Sequence, residues 1–352
     1  MTTPQATSIS AHDPSTPAVV RLVDTAGTDG PATSRDLADH LHAGTFFWVD
    51  LEDPSDDELA EFCESLELPA GTVVGLVHAS ARSRFTAAAD AVHAVLPAAV
   101  DAKPTAWLEA NYVTVLLTER FLFTVHVAPC APLRHARHQY RALDNEDVRA
   151  DRARVLFMIL DSLIGSFRSQ LLALDDRLGE IQLGMLRGAS PEVRDELVQI
   201  LGIITDGIQE LGWYSHDLEE IAETVDRLPG MSRGAQQHFD RHRRRVTRIS
   251  ESGKDIRGEA KDALSHYSEI VAGRQAQVIN ALTIVATVFL PLSFLTGYFG
   301  MNFRVLTDGQ TTLWQFILLG LLLPIASAGL SLLLIRRLER RFGIGRLGQR
   351  PS

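Results

Sequence analysis

The tripeptide Gly300-Met301-Asn302 follows an aromatic pair, Tyr298-Phe299, at the end of a stretch without a charged residue between Arg274 and Arg304. An asparagine amide and the carbonyls near Gly300 are neutral oxygen donors. Repeated around an axis, such donors can hold a hydrated divalent cation through its waters, so Asn302 is read as an outer-sphere metal contact. Full charges at that point would bind too tightly to release the ion. Gly300 permits close backbone approach or a positive φ at a helix end. Met301 suits packing of the mouth better than ligation. Upstream, Ile279, Leu282, Ala286, Leu290, Ser293 and Gly297 recur at helical spacing and are read as facing the same way as Asn302. Leu282 and Leu290 would be apolar constrictions and Ser293 a polar relay. Ordinary interhelical packing uses the same residue types.

Other chemistry is poorly represented. His238 and His242 are spaced i, i+4, a metal-competent spacing, but arginines flank them. His135-Ala136-Arg137-His138 has loop-like surroundings and no acidic or cysteine partner nearby. Asp175, Asp176 and Glu180 read as a solvated face. No P-loop and no catalytic set occurs, so an enzyme is not expected and the chain has no resident cofactor to propose. Cys63 and Cys130 stand far apart and read as two buried thiols. With 44 acidic against 34 basic residues and a formal net charge of -10, the chain does not suit nucleic acid as a partner.

The elements that must position the motif begin with its own segment. Residues 278–302 exceed the roughly 20 apolar residues that cross a bilayer core of about 30 Å. Thr283, Thr287 and Thr296 can bond backbone carbonyls one turn back, which lipid tolerates. A second uncharged run, 311–335, contains Pro324 and Gly329 and is also long enough to span. The short loop 303–310 makes the two a hairpin. The basic tail 336–352, opening Arg336-Arg337, places both termini in the cytoplasm by the positive-inside rule. Upstream, residues 1–17 read as a disordered tail without an apolar signal region. Residues 18–148 mix strands and helices: strands near Val19–Val23 and Phe46–Leu51, a capping box at Ser55 and Glu58, a further short helix near Gly71–His78, and a hairpin turning at Glu119-Arg120. Residues 149–277 carry long amphipathic helices: Arg152–Arg187, one capped by Ser190 with Pro191 at its first position, and one starting near Ser232. The last meets no proline before Pro291 and would approach about 90 Å. The fold class is therefore an α+β membrane protein: a cytosolic α/β domain, long cytosolic helices and two C-terminal transmembrane helices.

Gly300-Met301-Asn302, with Phe289-Leu290-Pro291, two terminal spans, a short loop, a basic tail and a cytosolic domain with long helices, resembles the CorA-type divalent-cation transporters. The resemblance implies a funnel-shaped homopentamer in the plasma (inner) membrane, its long helix lining one pore, that carries Mg²⁺, Co²⁺ or Ni²⁺. A related branch resembles the ZntB transporters and moves Zn²⁺. The outer loop departs from the Mg²⁺ pattern, which usually has an acid soon after the motif. Here Arg304 stands in that region, Asp308 is the only loop acid, and the zinc branch comes forward. The long helix is basic over His238–Arg248, so the family's carboxylate sensor does not carry over. Pairing of that stretch with the acidic second helix competes with a solvated charged face. A membrane-anchored binding protein that transports nothing is the alternative from another class.

Overall fold

β-branched and aromatic segments alternate with capped helices over the first part of the chain and close into one mixed sheet. The computed structural model describes residues 18–68, 82–87, 90–98, 111–188, 190–231, 234–300, 314, 317 and 322–342. The strands are β1 (Val19–Asp24), β2 (Asp29–Pro31), β3 (Phe47–Glu52), β4 (Arg84–Ala87), β5 (Val92–Ala98), β6 (Asn111–Leu117) and β7 (Phe121–His126). Their order is β2-β1-β3-β7-β6-β5-β4, with the β3–β7 pair parallel and the others antiparallel. The expected hairpin turns at Glu119-Arg120, where the Thr118 N–H donates to the Phe121 carbonyl at 2.9 Å.

Both faces of the sheet are covered. On one, α1 (Ser34–Ala43) and α2 (Asp56–Ser65) bury Leu37, Leu41, Leu59, Phe62 and Cys63 against Leu22, Val49 and Phe123. The Ser55–Glu58 capping box forms as expected, and a second, Thr33–Asp36, opens α1. That helix was missed although Thr33-Ser34-Arg35-Asp36 is a cap signal and Gly44 supplies the left-handed end. Cys63 and Cys130 are both buried and free, and burial pushes the Cys63 thiol up to about 11.

The other face receives α3 (Ala131–Arg141), with Tyr140 edge-on to Trp48 at 6.2 Å between ring centroids. His135 and His138 therefore sit on a helix, not in a loop. The sequence misleads because Pro132 looks like a breaker, whereas Pro at the start of a helix is well tolerated. Asp50 on β3 is a buried carboxylate bonded by Arg137 of α3 and by the Thr124 hydroxyl at 2.5 Å, with His126 Nε2 at 3.3 Å. Removing one partner of such a buried pair costs more than the pair itself contributes.

After the four-residue α4 (Glu146–Arg149) come α5 (Arg152–Arg187), with the expected bounds, and α6 (Pro191–Ile221). Ser190 is the N-cap residue of α6, but its side chain makes no cap bond and is hydrogen-bonded with Glu192 instead. Gly230 ends the connection with φ +73°, and a Cβ there would meet the Thr118 carbonyl oxygen at 2.6 Å, so only glycine fits. α7 then runs unbroken from Ala235 through Pro291 to Phe299, 65 residues or about 100 Å. α8 (Leu323–Phe342) closes the described chain, and its helical turns include Arg336–Arg341. The chain divides into two units, Met1–Ser265 and His266–Ser352. The expected short helix near Gly71–His78 lies outside the described residues.

Two described helices are long and apolar enough to cross a membrane, α5 and α7. Half of the apolar window of α5 is buried, its stripe from Val155 to Met185 packed in the core. None of the window of α7 is buried. Of these two, α7 combines spanning length with bare apolar surface, which is the condition lipid satisfies.

Candidate ion pathway

The apolar end of α7 has two unlike faces. Ile284, Thr287, Val288, Pro291, Leu292 and Leu295 are half-buried and recur at helical spacing. Ile279, Leu282, Ala286, Leu290, Ser293 and Gly297 are all exposed, with Leu282 at 69% and Leu290 at 70%. At about 100° per residue these six fall within one narrow sector, opposite the half-buried stripe. A single chain thus leaves bare the sector that the sequence marks out as pore-lining.

The hydroxyls behave as a low-dielectric setting requires. Thr283 donates to the Ile279 carbonyl at 2.8 Å, Thr287 to Thr283 at 2.7 Å and Thr296 to Ser293 at 3.1 Å. Each hydroxyl is satisfied within its own helix, so none needs water. Phe294 and Tyr298 stack at 6.2 Å on the approach to the helix end.

Gly300 closes the helix, its N–H donating to the Thr296 carbonyl at 2.9 Å. A Cβ at Gly300 would lie 3.0 Å from the Thr296 carbonyl oxygen of the preceding turn. Gly300 is not among the glycines with positive φ. α7 ends at Phe299. Met301, Asn302, Arg304 and Asp308 lie outside the described residues, as do residues 311–313, 315–316 and 318–321 of the second apolar run.

The histidine pair of α7 does not converge on a metal. His242 is fully buried, its Nδ1 2.7 Å from Asp161 Oδ1 on α5 and its Nε2 2.9 Å from the Tyr214 hydroxyl on α6. His238 is half-buried, 3.9 Å from Asp151, and desolvation lowers its pKa. Among the described residues no group of three or more His, Cys, Asp or Glu could hold a metal ion. The Asp161–His242–Tyr214 chain ties three long helices together and was not anticipated. Its signal was present: Phe239, His242, Val246 and Ile249 share one buried stripe, which marks His242 as a core residue rather than a surface ligand. Within this chain the basic stretch forms, through its arginines, no ion pair with the acids of α6 among the described residues. The ion pair formed by its arginines among the described residues is Arg245 with Asp161 of α5, at 3.7 Å.

A sheet domain, long helices and the bare apolar end of α7 describe a membrane protein with a large soluble part. The sequence pattern of the family described as CorA-like Mg2+ transporter protein matches residues 43–337, and the chain belongs to that family. A Bacillus subtilis (strain 168) protein, YfjQ, provisionally named a metal ion transporter, is 24% identical over 222 residues, 61% of this chain and 66% of that one. The cobalt/magnesium transport protein CorA of Thermotoga maritima is 24% identical over 205 residues, 57% of each chain. The chain thus spans less than two thirds of the length of these curated relatives. The complete CorA magnesium transporter structure from Methanocaldococcus jannaschii superposes with a TM-score of 0.73, at 16% identity, over 92% of this chain and 98% of that one. The cytoplasmic domain of ZntB from Vibrio parahaemolyticus shares the soluble fold, with a TM-score of 0.53 at 14% identity over 72% of this chain and 99% of that one.

Proposed function

We propose that this chain carries divalent metal cations across a membrane, with Mg²⁺ the principal cargo and Co²⁺ and Ni²⁺ further ones. The observation that carries this reading is α7, one helix whose first part packs in the soluble core and whose apolar part leaves the Ile279–Gly297 sector bare. A water-filled path needs that sector repeated around an axis, so the working unit is a closed ring of copies, five in the family's arrangement. Leu282 and Leu290 then form apolar rings that gate by dewetting, Ser293 relays, and the Gly300-Met301-Asn302 mouth holds the hydrated ion. The relative from Thermotoga is named for cobalt and magnesium, which supports the choice of cargo. Two charges crossing roughly 100 mV gain about 4.6 kcal/mol, which suffices for accumulation without a pump. The site is the inner membrane, with both termini cytoplasmic.

One observation favours a second cargo. Arg304, with Asp308 the lone loop acid, departs from the acidic loop of the Mg²⁺ pattern and brings forward a Zn²⁺ carrier with proton coupling. Uptake into proteoliposomes separates the two. Mg²⁺ flux that follows an imposed potential and ignores a pH gradient is the expected result. Proton-dependent Zn²⁺ flux without Mg²⁺ flux transfers the assignment to zinc, and no flux of either leaves a membrane-anchored binding protein.

A further inference from the structure

Facing sectors of α5 and α7 in the soluble unit form a groove that no step of cation transport uses. It holds about 1220 Å³, and its walls include Arg154, Arg241, Arg245, His238 and Gln139. A contiguous hollow of about 580 Å³ shares Asp161, Arg241 and Arg245 and adds Arg168 and Arg248. Arg241, Arg245 and Arg248 are spaced i, i+4, i+7 and so share one face of α7. Across both hollows five guanidinium groups face the single carboxylate Asp161, which is already shared between Arg245 at 3.7 Å and His242 at 2.7 Å. Arg154, Arg168, Arg241 and Arg248 form no ion pair among the described residues. This concentration of positive charge lies in a chain of net charge -10. Gly165 lets the helices approach at the crossing point, since a Cβ there would stand 3.3 Å from Arg245 Nη2.

We propose that this groove binds a small phosphate-rich anion, an inorganic polyphosphate or a nucleoside triphosphate, at the base of the helix that runs on into the membrane. The chemistry is specific. Planar guanidinium groups bind phosphate oxygens in bidentate fashion and stay charged at any physiological pH. The groove repels a cation, so it is no second metal site. Its volume is large enough for a whole nucleotide rather than a single phosphate. Phe157, Met158 and Leu143 line the same groove and offer apolar surface for a base, a feature inorganic polyphosphate would not use.

The test is calorimetric titration of the full chain in detergent, in buffer free of divalent cations, with sodium tripolyphosphate and separately with ATP. Saturable binding of at least one is expected. It should weaken about tenfold or more in the double variant Arg241→Gln, Arg248→Gln, which breaks no ion pair of the fold, and stay unchanged in the exposed control Arg194→Gln. Tighter binding of ATP assigns the apolar end to a base; equal binding assigns the site to the phosphates alone. The proposal is overturned if neither anion binds, or if the double variant binds as the wild type does. It is also overturned if neither anion binds and Arg241→Glu with Arg248→Glu breaks up the oligomer, for then acidic side chains of a second copy fill the groove. The readout is binding, so it stands or falls apart from transport.

Discussion

At the residue scale, Asn302 is the position where one side chain should decide whether ions move. An amide ring acts through water and tolerates little loss of donors and acceptors. Asn302→Ala should lower Mg²⁺ uptake in proteoliposomes by about tenfold or more, with the oligomer intact by mass in detergent. Uptake within twofold of wild type would remove Asn302 from the pathway. His93 has a different consequence. It is 5% exposed on β5, neither ring nitrogen has a hydrogen-bond partner among the described residues, and burial followed by the nearby Arg84 charge lowers its pKa to about 4. Its ordinary value is 6.5, so between pH 6.5 and 4 the unfolded chain takes up a proton that the folded chain refuses. Stability present in full above pH 6.5 should thus fall as pH drops through that window, by about 3 kcal/mol from this group. Thermal unfolding of the detergent-solubilised chain across that range checks it. His93→Leu should flatten the dependence, and an unaltered slope in that variant would assign the loss to other groups.

At the scale of elements, what matters is how α5, α6 and α7 are held in register. The Asp161–His242–Tyr214 chain gives the contact line one polar address, since sliding either helix by a turn would leave a buried imidazole unpaired. Tyr214→Phe keeps the ring that meets Phe85 at 6.2 Å but removes the hydroxyl, leaving His242 Nε2 buried without its partner. A loss of about 1–3 kcal/mol is expected, read as a lower unfolding midpoint in denaturant. At Gly253 α7 lies close against α6: a Cβ would meet Ile208 Cγ1 at 3.1 Å. Gly253→Leu should therefore destabilise by about 1–3 kcal/mol through overpacking, whereas Gly258→Leu, at an open position on the same helix, should not. Equal effects of the two would show that packing against Ile208 is not the cause.

For the whole molecule, the bare sector of α7 is an argument for association. Leu282 and Leu290 expose more than two thirds of their surface in one chain, and a single apolar helix cannot by itself enclose water. The mass of the detergent-solubilised assembly should equal five chains. A monomer would favour the tether reading. If the two leucines close the path by dewetting, Leu282→Ser and Leu290→Ser should each raise resting Mg²⁺ flux several-fold rather than lower it, because a hydroxyl lets water stay. Reduced or unchanged flux in both would mean that the constriction lies elsewhere.

Local chemistry is what the sequence by itself determined. Uninterrupted apolar composition marks the span of α7, the i, i+3, i+4 stripe sets both ends of α5, and the Ser55–Glu58 capping box starts α2, because each depends only on neighbours along the chain. The six-residue sector was legible for the same reason: a helix converts spacing into direction. The three-residue strand β2 and the helix α3 were hidden, one too short to show a period and the other opened by a proline. Only the tertiary structure decided which charges are alone. His242 and His238 look equivalent in sequence, yet one is a buried link among three helices and the other a half-buried neighbour of Asp151. Arg241 and Arg248 of α7 are exposed, as a solvated face would be, yet α5 stands opposite and makes them walls of a groove as well. Electrostatic meaning depends on what lies across from a side chain, and that is fixed by packing between segments far apart in the chain.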